Sequence, residues 1–538
     1  GVLSNTQAPG LTAEQVATWS TTQLAALKGT SFAELSTDVV AALGTTEDNT
    51  HHNQMGALTS AQVTALTDAH IQVLTADQVG AMTGKSLSLL SATKLNLMST
   101  DQVAGITTGQ AVSLTANQIQ NLDPDLFAAL KPATVGALTA TQFKSVTADQ
   151  IAVMTAEQAG AMTADQIAAL NSDQAAELTV DHLAAWTTSA KIQAIKAPIL
   201  QGLDGGDQLS GLSTTQVGYL TTAQVAALSG AQLSEFTTDQ IAALGYSGQS
   251  SQIAAIKSEA IALLTADQVS SMSSHQIAAL TSKQVASLTA DHLAAMSTTQ
   301  VAAIDAAEWV GLTATKLNAM SADQFDALSA DQVKALTTTQ VAALDEEIVS
   351  GLGSQEIQAL TSAQIKALTV GQMEWLTADQ LGKLTTADDA NQVAALSVTQ
   401  LNVLSGDQMA GFTPTQLQKM TTAQIGSFTA DQVPALTVAQ VQALSSLQIA
   451  ALKSTVIDNL TTDQVAALGT DPTDNTDGSK SQIQALTTGQ VAAFTAEQIG
   501  AMTATQVGQF STAQIGVLTD MSGLYADYGG PGAVTAAR

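Results

Sequence analysis

The sequence predicts an all-α solenoid, a superhelix of very short helices with one helix per eight-residue repeat. Three observations carry that prediction. An octad recurs along nearly the whole chain, as in 146–169, which reads VTADQIAV, MTAEQAGA, MTADQIAA. Each octad holds a complete helix-start signal. A period of eight also suits neither one long helix nor a strand. By position the octad is apolar, Thr or Ser, small, Asp or small, Gln, Val or Ile, any, and Ala or Gly.

The start signal is a capping box, illustrated by Thr163, Ala164, Asp165 and Gln166. The Thr163 hydroxyl is placed to accept from the N–H of Gln166, and the Gln166 side chain to reach back to the N–H of Thr163. Met162 before the cap and Ile167 after it form a hydrophobic staple that sets the entry angle of the chain. Asp165 lies in the first turn, where the positive end of the helix dipole favours a carboxylate. An uninterrupted helix fails because eight residues overshoot two turns by roughly 80°, so the leading Leu positions spiral around the rod and share no face. A strand fails because the first and sixth apolar positions would point to opposite faces, and Ala, Gln and Asp are poor strand formers.

A helix of about one and a half turns is far below the length of about 12 residues at which isolated helices become marginal in water. Neighbours must stabilise it. Short helices that bend at Thr and coil so that Leu, Val or Ile, and Ala of adjacent octads share an apolar spine meet that requirement. The small seventh and eighth residues let backbones approach.

Composition agrees with a thin spine: hydrophobic residues reach 45% while aromatics are only 3%. The formal charge is −29, and the one Arg is Arg538, so clustered cations for phosphate recognition are missing and nucleic acid is not the expected partner. Without cysteine there are no disulfides, thiolate chemistry or cysteine metal sites. Thr and Gln interrupt every octad, so no apolar run approaches the roughly 18 residues of a membrane span. A start at Gly1 and an end at Arg538 point to processing of both ends, the second by a trypsin-like cut.

Residues 1–518 read as one continuous array, beginning with LSNTQAPG at Leu3 and LTAEQVAT at Leu11. Insertions lengthen it near 44–54, 245–251, 385–391 and 469–481, and single-residue slips follow Trp186 and Leu203. In LDPDLFAA at Leu122, Asp123 caps and Pro124 starts the helix; in LKPATVGA at Leu130, Lys131 replaces the cap and Pro132 alone starts it. The four-residue and longer insertions at Leu244, Leu384 and Leu468 fall between the leading Leu and the Gln-Val/Ile pair, which implies one exposed edge where binding would collect. Residues 519–538 form a tail with a Gly-Gly-Pro-Gly hinge that begins at Gly529.

The chain offers little chemistry. His70, His182 and His292 stand where Gln normally stands and are expected to take its helix-start role. His51 and His52, beside Glu47 and Asp48, join imidazole and carboxylate without a metal motif. Asp471, Asp474 and Asp477, with Gly478, have the composition of a weak calcium loop but not the spacing of an EF-hand. Asp207, Asp388 and Asp389 add isolated carboxylates at other bends. Neither a nucleophile elbow nor a P-loop nor a dinucleotide fingerprint is present, so no enzyme is expected. Trp19 and Trp186, at the leading position, and Trp309, at the sixth, read as spine residues.

The octads LTADQVGA at Leu74, LTADQVSS at Leu264 and LSADQVKA at Leu328 resemble the LTxxQVxAL-type arrays of large exported repeat proteins and adhesins of proteobacteria. The resemblance runs from Leu3 to about Leu518 and brings no catalytic residues. It implies an extracellular or cell-surface setting. Since the repeat begins without a polar cap, spine residues such as Leu3, Leu11 and Trp19 are expected at an open end. Head-to-tail contact of such ends makes open fibres, and Leu524, Tyr525 and Tyr528 of the tail are placed to join it. The expected function is therefore a self-assembling filament or surface-layer subunit whose partner is itself. The alternative is an adhesin or stalk that presents its loops to another surface.

Overall fold

The computed structural model describes residues 3–46, 52–245, 251–387, 391–470 and 481–519. They are all-helical, with no strand among them, and the short helices repeat regularly as a solenoid. Typical helices are Ala164–Ile167, of four residues, and Pro132–Ala137, of six. The chain divides into two compact units, Gly1–Ala279 and Leu280–Arg538.

In the first unit the capping box forms as its residues dictate. Gln166 donates its N–H to Thr163 Oγ1 at 3.2 Å, and Thr163 donates its N–H to Gln166 Oε1 at 2.7 Å. The bend between helices consists of two extended residues. Leu138 (φ −59°, ψ 136°) and Thr139 (φ −68°, ψ 155°) turn the chain out of Pro132–Ala137 and into Ala140–Phe143. Met162 and Ile167, the staple pair, are both buried, as is Leu170. Removing such side chains from water supplies the stability that a helix of one turn cannot generate alone.

Packing runs from each helix to the third one along. Pro132–Ala137 packs on Thr108–Ala111 and on Ala156–Ala161. Where no insertion or slip intervenes, hydrogen bonds between turns join residues 25 to 31 apart, so one turn of the superhelix holds between three and four octads. The small eighth residue is a steric requirement at the tightest crossings: a Cβ on Gly105 would run into the carbonyl of Ala76.

The second unit repeats this geometry. Thr338–Ala342 packs on Ser362–Ala367, whose cap residue Thr361 donates its N–H to Gln364 Oε1 at 2.7 Å.

The variants follow their chemistry. Asp123 Oδ1 accepts from the N–H of Asp125, with Pro124 opening the helix, whereas Lys131 makes no side-chain cap and Pro132 starts the helix alone. Trp186 and Trp309 are fully buried spine residues, and Trp19 is half-buried.

The shared position of the insertions carries less than the sequence suggested. Since three to four octads complete a turn, any octad position recurs at several corners of the superhelix. A common position therefore names a kind of corner and does not by itself define one edge.

Candidate functional site: a buried glutamine ladder, its pinned loops and its open edges

The octad Gln does more than cap. Its side chain is buried, and its amide Nε2 donates to two backbone carbonyls of the neighbouring turn. Gln166 Nε2 reaches Val135 O at 2.8 Å and Leu138 O at 2.7 Å, which are 31 and 28 residues back. Gln364 does the same to Val333 O and Leu336 O in the second unit, at 2.9 and 2.7 Å. These carbonyls belong to the end of a helix, where Val135 O and Val333 O also accept from the cap N–H of Leu138 and Leu336, both at 3.2 Å. One side chain thus satisfies a helix start with its oxygen and the end of another helix with its nitrogen.

Other residues at this position succeed when they can donate. His70 Nδ1 accepts from Thr67 N–H at 3.3 Å and its Nε2 lies 2.9 Å from Leu35 O. His182 repeats the arrangement with Thr179 N–H at 3.1 Å and Met154 O at 2.7 Å. The two contacts match the tautomer that carries its proton on Nε2. His292 Nδ1 accepts from Thr289 at 3.1 Å. All three histidines therefore take the glutamine's helix-start role. Lys94 reaches Leu66 O, Lys316 reaches Ala286 O at 2.6 Å and Thr134 reaches Ile106 O at 2.9 Å. Burial among these groups pulls the Lys316 amine below its ordinary value.

The same glutamine pins the insertions. Across the longest one, Gly469 donates its N–H to Gln482 Oε1 at 2.7 Å, a capping contact that spans 13 residues instead of the ordinary 3. Gln482 Nε2 still reaches Val441 O and Leu444 O, now 41 and 38 residues back. Gln54, Gln252 and Gln392 close the other three insertions by accepting from Gly44, Gly245 and Thr385 at 2.9, 2.6 and 2.7 Å. Gly245 adopts φ 77°, a left-handed conformation that suits glycine. Each insertion is therefore an excursion from a base that stays in register.

Among the described residues, the first and last turns leave ladder groups unjoined. Gln7, Gln15 and Gln23 accept from Ser4, Thr12 and Ser20 N–H at 3.0, 2.9 and 2.8 Å, but their exposed amides have no acceptor among the described residues. Leu3, Leu11 and Trp19 there are half-buried. At the other edge, no glutamine amide among the described residues reaches the carbonyls of Ile499, Met502, Val507 or Phe510, and Ile499, Val507 and Ile515 are half-buried.

Not every expected residue falls within this geometry. Asp471, Asp474 and Asp477, the tail residues Leu524, Tyr525 and Tyr528, and His51, Asp388 and Asp389 lie outside the described residues. Asp207 is exposed and donates its N–H to Asp204 Oδ1 at 2.8 Å. Among the described residues there is no group of three or more His, Asp or Glu placed to hold a metal ion. No helix among them is long and apolar enough to cross a membrane.

No curated protein matches the chain. Four segments, 301–338, 349–386, 413–446 and 480–512, match the family model described as the ALTTAQ repeat. All four lie in the second unit. This is a repeat protein, similar over those segments to the ALTTAQ repeat.

Proposed function

We propose that the protein is a structural, non-catalytic subunit that associates head to tail into a filament or layer outside the cell. One observation supports the reading most directly: the first and the last described turns are chemically complementary. The first turn presents unpaired amide donors on Gln7, Gln15 and Gln23 beside half-buried Leu3, Leu11 and Trp19. The last described turn presents carbonyls that no glutamine amide among the described residues reaches, beside half-buried Ile499, Val507 and Ile515. In the interior, these are the groups that the ladder joins. An edge of one copy laid on the opposite edge of another makes a heterologous contact, which propagates unless the rotation closes a ring.

Negative-stain microscopy of the 538-residue chain, with and without calcium, tests this. Fibres or sheets with a regular axial repeat are expected, and replacing Gln7, Gln15 and Gln23 together by Glu should abolish them. Separate particles under every condition would overturn the reading.

A second reading, an adhesin that presents its loops to a cell-surface partner, draws on the pinned insertions. Their bases are held by the ladder, so loop sequence can vary without disturbing the spine. The resemblance to exported repeat proteins and the acidic, cysteine-free composition support an extracellular setting for either reading. Calcium held by Asp471, Asp474 and Asp477 would serve the loop of the second. Loss of surface binding on deleting 471–480, in particles that stay separate, would favour it.

A further inference from the structure

Three departures from the octad meet at one place in the second unit. Glu356 occupies the ladder position of Gln, Gly353 occupies the cap position of Thr, and Asp326 stands at the seventh position of an octad one turn earlier. Glu356 is 2% exposed and is the one buried acid among the described residues. Unlike the ordinary octads, this helix start has no side-chain cap at Gly353. Glu356 Oε2 is buried and has no hydrogen-bond partner. By the register of Gln364, whose amide reaches 31 and 28 residues back, that rung belongs to the carbonyls of Phe325 and Leu328.

Gly353 leaves the space that the acids share. A Cβ there would stand 2.6 Å from Glu356 Oε2 and would collide with Asp326 Oδ1. Burial, and then the neighbouring negatively charged Asp326, raise the Glu356 carboxyl above its ordinary value, against nearby backbone N–H groups that lower it. The helix Ala330–Ala335, packed against Ser354–Ala359, carries Asp331 and Lys334, both exposed, and Gln392–Ala395, whose amide caps Ile357, carries no titratable group. Every other polar side chain seen filling a rung here, whether Gln, His, Lys, Ser or Thr, can donate. An ionised carboxylate can only accept.

We propose that Glu356 is a proton-operated rung. When neutral, its Oε2–H donates to Asp326 and holds the two turns together; when ionised, it leaves a buried, unpartnered oxygen facing a second carboxylate. The sign follows from linkage. A carboxyl that is raised in the folded state contributes stability below its unfolded value and loses it as pH rises through the folded one. Local stability around 322–336 and 352–360 should therefore fall toward neutral and basic pH. The device needs no ligand beyond the proton, and Asp326, being exposed, gives solvent a route to it.

Hydrogen exchange of these segments in the full chain tests the proposal, comparing the parent with Glu356→Gln at about pH 5 and about pH 8. Glu356→Gln restores the ordinary rung and is expected to fold. Its segments should exchange more slowly than the parent's at the higher pH, and the ratio of rates should shrink toward one at the lower. Asp326→Asn should flatten the parent's pH dependence, because an amide can donate to Oε2. A ratio independent of pH would overturn the proposal. So would millimolar calcium that protects the parent but not Glu356→Gln at the higher pH, since the occupant would then be a cation.

Discussion

Gln166 Nε2 donates to the carbonyl of Leu138 at 2.7 Å, which ties the start of one helix to the end of another 28 residues earlier. The contact is buried, so removing it leaves polar groups unsatisfied on both turns. Gln166→Ala is expected to cost about 3 kcal/mol, whereas Gln166→His, which copies His70 and His182, should cost much less. Denaturant melts of the three proteins, combined with exchange rates at 132–138, check the order.

The cap alone should matter less than the rung. Thr163→Ala removes one neutral hydrogen bond at the helix start and is expected to cost about 1 kcal/mol. Leu170→Asp places an unpaired charge in the spine and should be the worst of the set. Urea melts that rank Thr163→Ala above Gln166→Ala would refute the assignment of the ladder as the stronger element.

Close approach makes its own prediction at Gly105. A larger side chain must displace the Ala76 carbonyl, so Gly105→Val should destabilise by about 1 to 3 kcal/mol through overpacking. Gly500, where nothing stands within 4 Å of an added Cβ, is the control: Gly500→Ala should leave the melting temperature unchanged or raise it slightly.

Deletion of 471–480 joins Thr470 to Ser481 and creates LGTSQIQA, an uninterrupted octad. Gln482 already holds Gly469 and the carbonyls of Val441 and Leu444, so the shortened chain should fold with the same helical circular dichroism. Its stability should stay within about 1 kcal/mol of the parent, because closing a longer loop costs little more than closing a shorter one. Any calcium bound by Asp471, Asp474 and Asp477 should be lost with it, which isothermal titration would read directly.

Much of this architecture is legible in one octad. Thr163 and Gln166 announce a helix start, Met162 and Ile167 announce its entry angle, and the brevity of the helix requires neighbours. The ladder was harder to read, although its signal is present. A capping box accepts Glu as readily as Gln. Yet in this chain the polar residues at the ladder position are Gln, His, Lys, Ser or Thr, with Glu only at Glu308 and Glu356, while other octads carry an apolar residue there, as at Val39, Leu126 and Ile348. A preference for donors over carboxylates at a position whose capping role only accepts means that a second partner is waiting for a hydrogen. Nothing in the sequence says where that partner is.

The sequence by itself determined where each helix starts, which residues are buried and where insertions are tolerated, because these depend on contacts within three or four residues. Only the tertiary structure decided that between three and four octads make a turn, that Gln166 meets Leu138, and that Gly353 brings Glu356 and Asp326 together. Those facts depend on the accumulated bend of successive corners. A few degrees at each Leu-Thr pair, invisible in local residue preferences, sum over a turn to choose which carbonyl lies opposite each amide.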